Sequence, residues 1–138
     1  AKLVIGLFDI DNFKQANDQF GHAFGDTVIR AFTQTLLEYF RKDDTLGRIG
    51  GDEFVAFVRG VDYAGAVERA EQLSRALCRT HTSAVIRWML SASIGVVLSP
   101  GNATDAETLF KNADTALYQT KKRGKNGYTI FEETSSGS

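Results

Sequence analysis

The chain has 138 residues, 16 Lys and Arg against 17 Asp and Glu, a formal net charge of −1 and one cysteine. The length fits one domain with a sizeable core, and the balanced charge argues against a non-specific nucleic-acid binder. Cys78 lacks a partner for an internal disulfide, and its neighbours predict a small core residue in a reducing compartment. With no signal peptide and no apolar run of membrane-span length, we expect a cytoplasmic piece of a longer protein.

The first half of the chain alternates between strand and helix patterns. A nearly continuous apolar run predicts a strand buried on both faces, and the polar, turn-rich residues 11–25 after it predict a loop. A helical period of apolar residues then extends from Phe24 to Tyr39. Two short strands around Gly50-Gly51 predict a β-hairpin. The predicted strands of this half are residues 2–10, 45–49 and 54–58.

The second half continues with two amphipathic helices. Apolar spacing predicts one helix from Ala64 to Leu77, and a capping box at Thr104–Glu107 starts the other. Residues 85–98 read as one strand, in which Gly95 marks a bulge or a close approach. A final strand is predicted at residues 128–131.

The predicted order is β-α-β-β-α-β-α-β. This order is typical of a ferredoxin-like split βαβ palm with an extra helix and strand. We therefore expect an α/β (α+β) fold with helices packed on a mixed central sheet. The domain would comprise residues 1–131, and residues 132–138 would form a flexible tail.

Carboxylates cluster at two predicted strand ends. Asp9 and Asp11 end the first strand, and Asp52 and Glu53 follow the hairpin turn. The two groups can meet at one sheet edge, where a cation such as Mg²⁺ would relieve their repulsion. Such a site favours metal-assisted phosphoryl or nucleotidyl transfer. Equally, these residues could simply end a strand and build a turn, and spacing alone favours neither interpretation.

Several other residues have two interpretations each. Asn17 and Asp26 suit the edge of a purine, or one of them caps the helix that starts near Phe24. His22 contacts a ligand or merely packs, and Gly50-Gly51 admits a ligand or forms a tight turn.

Lysines suggest phosphate contacts. Lys14 follows the acidic strand end, where it would offset phosphate charge or remain solvated. A basic cluster near the C-terminus would clamp phosphates or would complement a helix macrodipole. This cluster comprises Lys121, Lys122, Arg123 and Lys125.

The residues Gly50-Gly51-Asp52-Glu53-Phe54 spell GGDEF, and the sequence resembles the GGDEF domain of diguanylate cyclases. The resemblance covers roughly Leu3 to Phe131, with the matching blocks in order. The further blocks are Asp9-Ile10-Asp11-Asn12-Phe13-Lys14, Asn17-Asp18, Gly21-His22, Gly25-Asp26, Arg48, Ser93-Ile94-Gly95 and Ala113-Asp114-Thr115-Ala116-Leu117-Tyr118.

This resemblance implies synthesis of cyclic di-GMP from two GTP molecules, with release of two pyrophosphates. Asp52 or Glu53 would activate the attacking 3′-hydroxyl, assisted by Lys14. Asn17 and Asp26 would read the guanine. The implied Mg²⁺ (or Mn²⁺) ligands are Asp9, the Ile10 carbonyl, Asp52 and Glu53. The implied substrate-binding residues are Asn12, Phe13, Asn17, His22, Asp26, Gly50, Gly51, Lys121 and Lys125.

An inhibitory site is also implied. Arg41-Lys42-Asp43-Asp44 matches the family's RxxD motif in register with the signature, and Arg41 and Asp44 would bind the product. The alternative is a charged helix end followed by a turn. In two places the chain departs from the family pattern: Lys125 stands where the family usually has Arg, and the family's N-terminal helical segment is absent.

Each domain would hold half of the reaction, so the resemblance implies a homodimer with a second GGDEF domain, brought together by an upstream sensory or dimerising module. We expect no nucleic-acid partner and no membrane contact by this domain. A second hypothesis is a non-catalytic module that binds GTP or cyclic di-GMP, although the intact signature favours the enzyme. A third is a different nucleotidyl cyclase or palm-like polymerase that uses the same two-carboxylate metal chemistry.

Overall fold

The apolar run near the N-terminus forms a buried strand at the centre of the molecule. A computed structural model describes residues 3–99 and 105–131. The elements in chain order are β1 (Leu3–Ile10), α1 (Phe13–Phe20), α2 (His22–Tyr39), β2 (Thr45–Arg48), β3 (Glu53–Arg59), α3 (Tyr63–Leu77), β4 (Arg79–Ser83), β5 (Ile86–Leu90), β6 (Ala92–Leu98), α4 (Ala106–Lys122) and β7 (Gly127–Ile130).

Strand β1 lies in the middle of a five-stranded sheet with the order β2-β3-β1-β6-β7. It is antiparallel to both β3 and β6, whereas β6 and β7 are parallel. Strands β2 and β3 form the predicted hairpin, and β3 lies between β1 and β2. The expected split βαβ arrangement and mixed sheet are thereby confirmed.

The two faces of the sheet are covered by different helices. Helices α2 and α3 pack on one face, against β1 residues such as Val4 and Phe8. Helix α4 packs on the other face, against Ile5 and Leu7. Because side chains alternate along a strand, Asp9 belongs to the α4 face. Core packing thus decides which helix meets this carboxylate.

Helix α4 lies unusually close to β6 at Gly95. A Cβ atom on Gly95 would overlap the backbone of Ala113 and Leu117 on α4. The close approach predicted at Gly95 is therefore present, and it fixes the height of α4 above the sheet.

The predicted loop over residues 11–25 is wrong. Helix α1 occupies most of it, and α2 already begins at His22, with Gly21 as its N-cap residue and no side-chain cap. Neither Asn17 nor Asp26 therefore caps that helix. The apolar stripe of α1 consists of Phe13, Ala16 and Phe20 among polar residues, which is too narrow to stand out in the sequence.

The single strand predicted over residues 85–98 is also wrong. It is two strands, β5 and β6, which are interrupted at Ser91. Strand β5 pairs with β4 in a separate two-stranded sheet. The five residues of β4, Arg79–Ser83, are all polar, so their sequence carries no apolar alternation.

Two local predictions need correction. Cys78 is exposed at the C-terminal end of α3, not a core residue. Helix α4 is capped by Asp105, whose carboxylate accepts a hydrogen bond from the Thr108 N–H at 2.7 Å. The predicted cap residue, Thr104, lies outside the described residues. The predicted tail, residues 132–138, lies outside them too. Within the described ranges, each helix is too short or too polar to cross a membrane.

Candidate active site

Asp9 lies near the end of β1, opposite Glu53 on β3 and Ser93 on β6. The residue is 8% exposed. Its carboxylate forms an ion pair with Lys121, on the last turn of α4. The alternation of β1 and the close packing of α4 therefore bring one carboxylate and one lysine together.

Asp52 approaches the same place from the hairpin. It directly precedes β3, and its carbonyl accepts a hydrogen bond from the Ile10 N–H at 3.1 Å. Burial raises the pKa of Asp9, and the nearby charge of Asp52 raises it further. The ion pair with Lys121 lowers the pKa, but not enough to cancel these two effects, so the pKa of Asp9 lies above its ordinary value. The two carboxylates thus repel each other in a partly dry environment.

Lys121 responds to the same charges. Burial acts to lower the pKa of Lys121, but the ion pair with Asp9 and the charges of Glu53 and Asp52 outweigh it and raise the pKa. Lys121 is consequently cationic at neutral pH. A single lysine facing three carboxylates leaves an excess of negative charge.

The donors at this edge fit a hard divalent cation. The Asp9 Oδ1 atom is buried and has no hydrogen-bond partner among the described residues. Within residues 3–99 and 105–131, no three His, Cys, Asp or Glu side chains converge as a metal-binding cluster. Mg²⁺ commonly uses one or two carboxylates together with water and substrate phosphates, so the Asp9 and Asp52 pair suffices.

An open groove of about 500 Å³ lies beside these carboxylates. Both acidic and basic side chains line it, which suits a phosphorylated ligand held with a cation. Of the residues expected at the site, six lie outside this lining: Asn17, His22, Asp26, Gly50, Gly51 and Glu53. The lining residues are Asp9, Ile10, Asp11, Asn12, Phe13, Lys14, Gln15, Asp18, Asp52, Lys121 and Lys125.

Lysines approach the groove from two sides. Lys14 is exposed on the first turn of α1. Lys125 follows α4, and its Nζ atom donates to Asn12 Oδ1 at 2.7 Å. Asn12 itself has a left-handed backbone, with φ of 57°. Together with Lys121, these side chains can counter the charge of a triphosphate.

The residues expected to read guanine lie at the corner between α1 and α2. The side chain of Asn17 lies so close to Gly25 that a Cβ atom there would overlap its amide. Asn17 Oδ1 is buried and lacks a hydrogen-bond partner within the described part of the chain. Asp26 and His22 are exposed on the first turns of α2. None of these three residues lines the groove.

The Gly50-Gly51 turn is held by Arg48, for which the sequence assigned no role. The Arg48 Nε atom donates to the carbonyls of Gly50 and Gly51 at 3.0 and 3.1 Å, and Nη2 donates to Gly51 at 2.6 Å. Three hydrogen bonds from two guanidinium nitrogens to two carbonyls hold the turn that precedes Asp52. The position of Arg48 two residues before the turn was the available signal.

Asp11 does not converge with the other carboxylates, contrary to the expectation from its position. The residue is 5% exposed, and its carboxylate accepts from the hydroxyl groups of Ser91 and Ser93. Because Asp11 lies beyond the last residue of β1, the strand alternation no longer determines where its side chain points.

Arg41 and Asp44 lie at a different corner of the molecule. Asp44 Oδ2 accepts from the Arg41 N–H at 2.8 Å and forms an ion pair with Arg69 at 3.2 Å. The Arg69 guanidinium also lies 5.3 Å from the centre of the Phe40 ring. The exposed Arg41 side chain lines a second groove of about 470 Å³ with Arg69 and Gln72. Asp44 does not line that groove.

Comparisons with known proteins agree with this geometry. The family model "Diguanylate cyclase, GGDEF domain" matches residues 1–127. The chain is 35% identical over 133 residues to the bifunctional diguanylate cyclase/cyclic di-GMP phosphodiesterase MucR of Pseudomonas aeruginosa, covering 96% of this chain and 19% of MucR. It is 32% identical over 130 residues to the cyclic di-GMP phosphodiesterase PdeR of Escherichia coli, covering 94% of this chain and 20% of PdeR.

Solved structures show the same fold. The GGDEF domain of YfiN from Pseudomonas aeruginosa matches with a TM-score of 0.89 and 29% identity, covering 96% of this chain and 84% of that one. The chain belongs to the GGDEF domain family of diguanylate cyclases. It spans about a fifth of the length of MucR and PdeR.

Proposed function

We propose that this domain is a Mg²⁺-dependent diguanylate cyclase that condenses two GTP molecules into cyclic di-GMP and two pyrophosphates. The observation that carries the proposal is the Asp9 and Asp52 pair, which leaves a buried oxygen unpartnered beside a groove lined by lysines. A carboxylate pair with excess negative charge suits a cation, and the lysines suit the phosphates that accompany it.

In this proposal Asp9, the Ile10 carbonyl and Asp52 hold Mg²⁺ or Mn²⁺, and Glu53, which lies outside the groove lining, would turn toward the metal to join them. The metal, when bound, stabilises charge that develops on the α-phosphate. Lys14, Lys121 and Lys125 grip the phosphates and orient the α-phosphate for attack. Lys121 would then exchange its contact with Asp9 for one with phosphate.

The remaining residues position the nucleotide and the attacking hydroxyl. Asn17 and Asp26 hydrogen-bond the guanine edge, and the unpartnered Asn17 Oδ1 supports this role. Asp52 or Glu53 accepts the 3′-hydroxyl proton of the opposing GTP. Asn12, Phe13, His22, Gly50 and Gly51 complete the contacts with the substrate.

The reaction joins two GTP molecules symmetrically, so one domain supplies half of the machinery. We propose that two copies face each other, each holding one GTP, and that an upstream sensory or dimerising module of the parent protein brings them together in the cytoplasm. Neither nucleic acid nor membrane is part of this proposal. The overall charge of −1 accords with it.

We further propose that cyclic di-GMP inhibits the enzyme by binding at Arg41 and Asp44. The exposed Arg41 side chain and the groove that it shares with Arg69 support this. An arginine fork matches phosphate and guanine acceptors. Asp44 would share its carboxylate between Arg69 and the ligand.

A second candidate is a module that binds GTP or cyclic di-GMP without catalysis. The similarity to PdeR supports this candidate, because PdeR is named as a cyclic di-GMP phosphodiesterase and not as a cyclase. The intact carboxylates at Asp9, Asp52 and Glu53 favour the enzyme.

The test is production of cyclic di-GMP from GTP and Mg²⁺, using the chain and a form in which two copies are joined by a fused dimerising helix. We expect product from the joined form, and a fall of about a thousandfold or more with Asp52→Ala. The control is Asp114→Ala, an exposed aspartate on α4, which should retain full activity. GTP binding without any product would favour the non-catalytic module.

A further inference from the structure

Asp11 is a buried carboxylate that joins three segments of the chain. Its Oδ1 atom accepts from Ser93 Oγ at 2.5 Å, and its Oδ2 atom accepts from Ser91 Oγ at 2.7 Å and from the Asn126 N–H at 2.9 Å. The Asp11 N–H donates to the Ser91 carbonyl at 3.0 Å. The end of β1, the start of β6 and the loop after α4 therefore meet on one side chain.

The loop between α4 and β7, residues 123–126, has an unfavourable backbone. Gly124, Lys125 and Asn126 have φ angles of 114°, 65° and 46°. Left-handed conformations cost roughly 1–2 kcal/mol for residues with a side chain, so two in succession need external support. The charge-assisted hydrogen bond from Asn126 to Asp11 supplies support at the second of them.

This loop and the helix turn before it carry two of the lysines at the groove. Lys125 reaches Asn12, and its own N–H donates to the Thr120 carbonyl at 3.0 Å. Lys121, one turn earlier, contacts Asp9. Without a hold on Asn126, the backbone of Lys125 would relax toward a right-handed conformation and move its side chain away from Asn12.

We propose that Asp11 is a positioning residue that holds Lys125 and Asn126 in their left-handed conformations and so aims Lys125 at the nucleotide phosphates. Asp11 contacts neither metal nor substrate in this role. The inference rests on the proposed binding of GTP and extends it to a residue outside the implied ligand set. If Asp11 has this role, its loss should weaken binding of the nucleotide phosphates and leave binding of the guanine base unaffected.

The experiment compares Asp11→Ala with Ser93→Ala in the whole chain. Both remove hydrogen bonds of the same carboxylate, but Ser93→Ala leaves the bond to Asn126 in place. The first readout is amide hydrogen exchange, which should accelerate at Asn126 in Asp11→Ala and stay unchanged in Ser93→Ala. Amides of the β1–β3 ladder, such as Phe8, should keep their protection in both.

The second readout is binding of the α,β-methylene analogue of GTP with Mg²⁺, compared with binding of GMP. We expect Asp11→Ala to weaken the analogue about tenfold, as for loss of a charged hydrogen bond, and GMP less than twofold. Ser93→Ala should bind both ligands like the native chain. If Asp11→Ala fails to fold, Asp11→Asn replaces it, with an expected loss of about threefold for the analogue.

Several results would overturn the inference: native protection of Asn126 in the Asp11 variant, native affinity for the analogue, equal weakening by Ser93→Ala, or loss of protection throughout the β1–β3 ladder in Asp11→Asn as well as in Asp11→Ala. Failure of the native chain to bind the analogue would instead reject the proposed function. The exchange at Asn126 would then still report whether Asp11 holds the loop.

Discussion

Asp9 and Asp44 each form an ion pair with a basic side chain, but their surroundings differ. Asp9 contacts Lys121 but keeps an oxygen with no partner in the described structure, and Asp52 lies close enough to repel it. Asp44 contacts Arg69 and accepts a backbone N–H as well. The first arrangement is short of positive charge, whereas the second is satisfied by the protein itself.

The difference separates a carboxylate that is suited to bind a ligand from one that stabilises the fold. A site that lacks a counter-charge costs stability until a ligand supplies it, and such sites are where proteins bind cations and phosphates. A satisfied pair stabilises the corner that it joins, and a ligand there must compete for or share it. Asp9 should therefore matter most for chemistry, and the Asp44–Arg69 pair for folding.

The largest effect on stability is expected from Arg69→Ala. This change leaves the Asp44 carboxylate, whose side chain is 5% exposed, without its cation and removes the contact with Phe40. The free energy of unfolding should fall by about 3 kcal/mol, measured by urea denaturation. The control is Arg75→Ala, also on α3, where the ion pair between the 80% exposed Arg75 side chain and Glu71 should contribute no more than about 0.5 kcal/mol. Equal losses in both variants would contradict the comparison.

Replacing the charge of Asp9 is expected to raise the free energy of unfolding rather than lower it. Burial and the Asp52 charge outweigh Lys121 and raise the pKa of Asp9, so the folded state binds this proton more readily than the unfolded state. Ionised Asp9 therefore costs stability at pH 7, and Asp9→Asn should raise the free energy of unfolding by about 1 kcal/mol without divalent cations. The same variant should lose Mg²⁺-dependent activity.

The gain from Asp9→Asn should depend on pH. In the native chain the favourable protonated form of Asp9 is lost as pH rises through its raised pKa, so the gap between the two proteins should close as pH falls through that value. Asp44→Asn is the comparison and should destabilise. If Asp9→Asn also destabilised at pH 7, the charge excess at this edge would be refuted.

The smallest effect on stability is expected from Arg41→Ala. Arg41 bonds to Asp44 through its backbone alone, the N–H donating to the Asp44 carboxylate and the carbonyl accepting from the Asp44 N–H, so removing the side chain should change the unfolding free energy by less than about 0.5 kcal/mol. Added cyclic di-GMP should no longer slow the initial rate, whereas Lys42→Ala should keep the inhibition. Unchanged product binding in Arg41→Ala would reject this assignment.

Most of the fold could be predicted from hydrophobic periodicity. Strand β1, the hairpin and the three longer helices each bury enough apolar residues to show a clear period. Helix α1 was missed because three apolar residues among polar ones mark it weakly. Strand β4 was missed because its polar residues pair with β5 outside the main sheet, where backbone pairing does not require an apolar face.

Less of the site could be predicted from the sequence, because three-dimensional packing decides which side chains pair with each other. The ends of two strands could be expected to bring Asp9 and Asp52 together. That Asp44 pairs with Arg69, and Asp11 with Asn126, could not be expected, since each partner comes from a distant segment. The site roles of residues such as His22 and Lys14 remain predictions.

The register of β1 has a consequence for how the domain matures. Asp9 faces α4 only while it is paired with Glu53 and Ser93, and a shift of one residue along either neighbour would turn it toward α2 and α3. A misaligned chain would therefore bury the carboxylate among apolar side chains and could not capture a cation. Under the proposed function, binding of the cation would draw population toward the correctly aligned molecule by mass action.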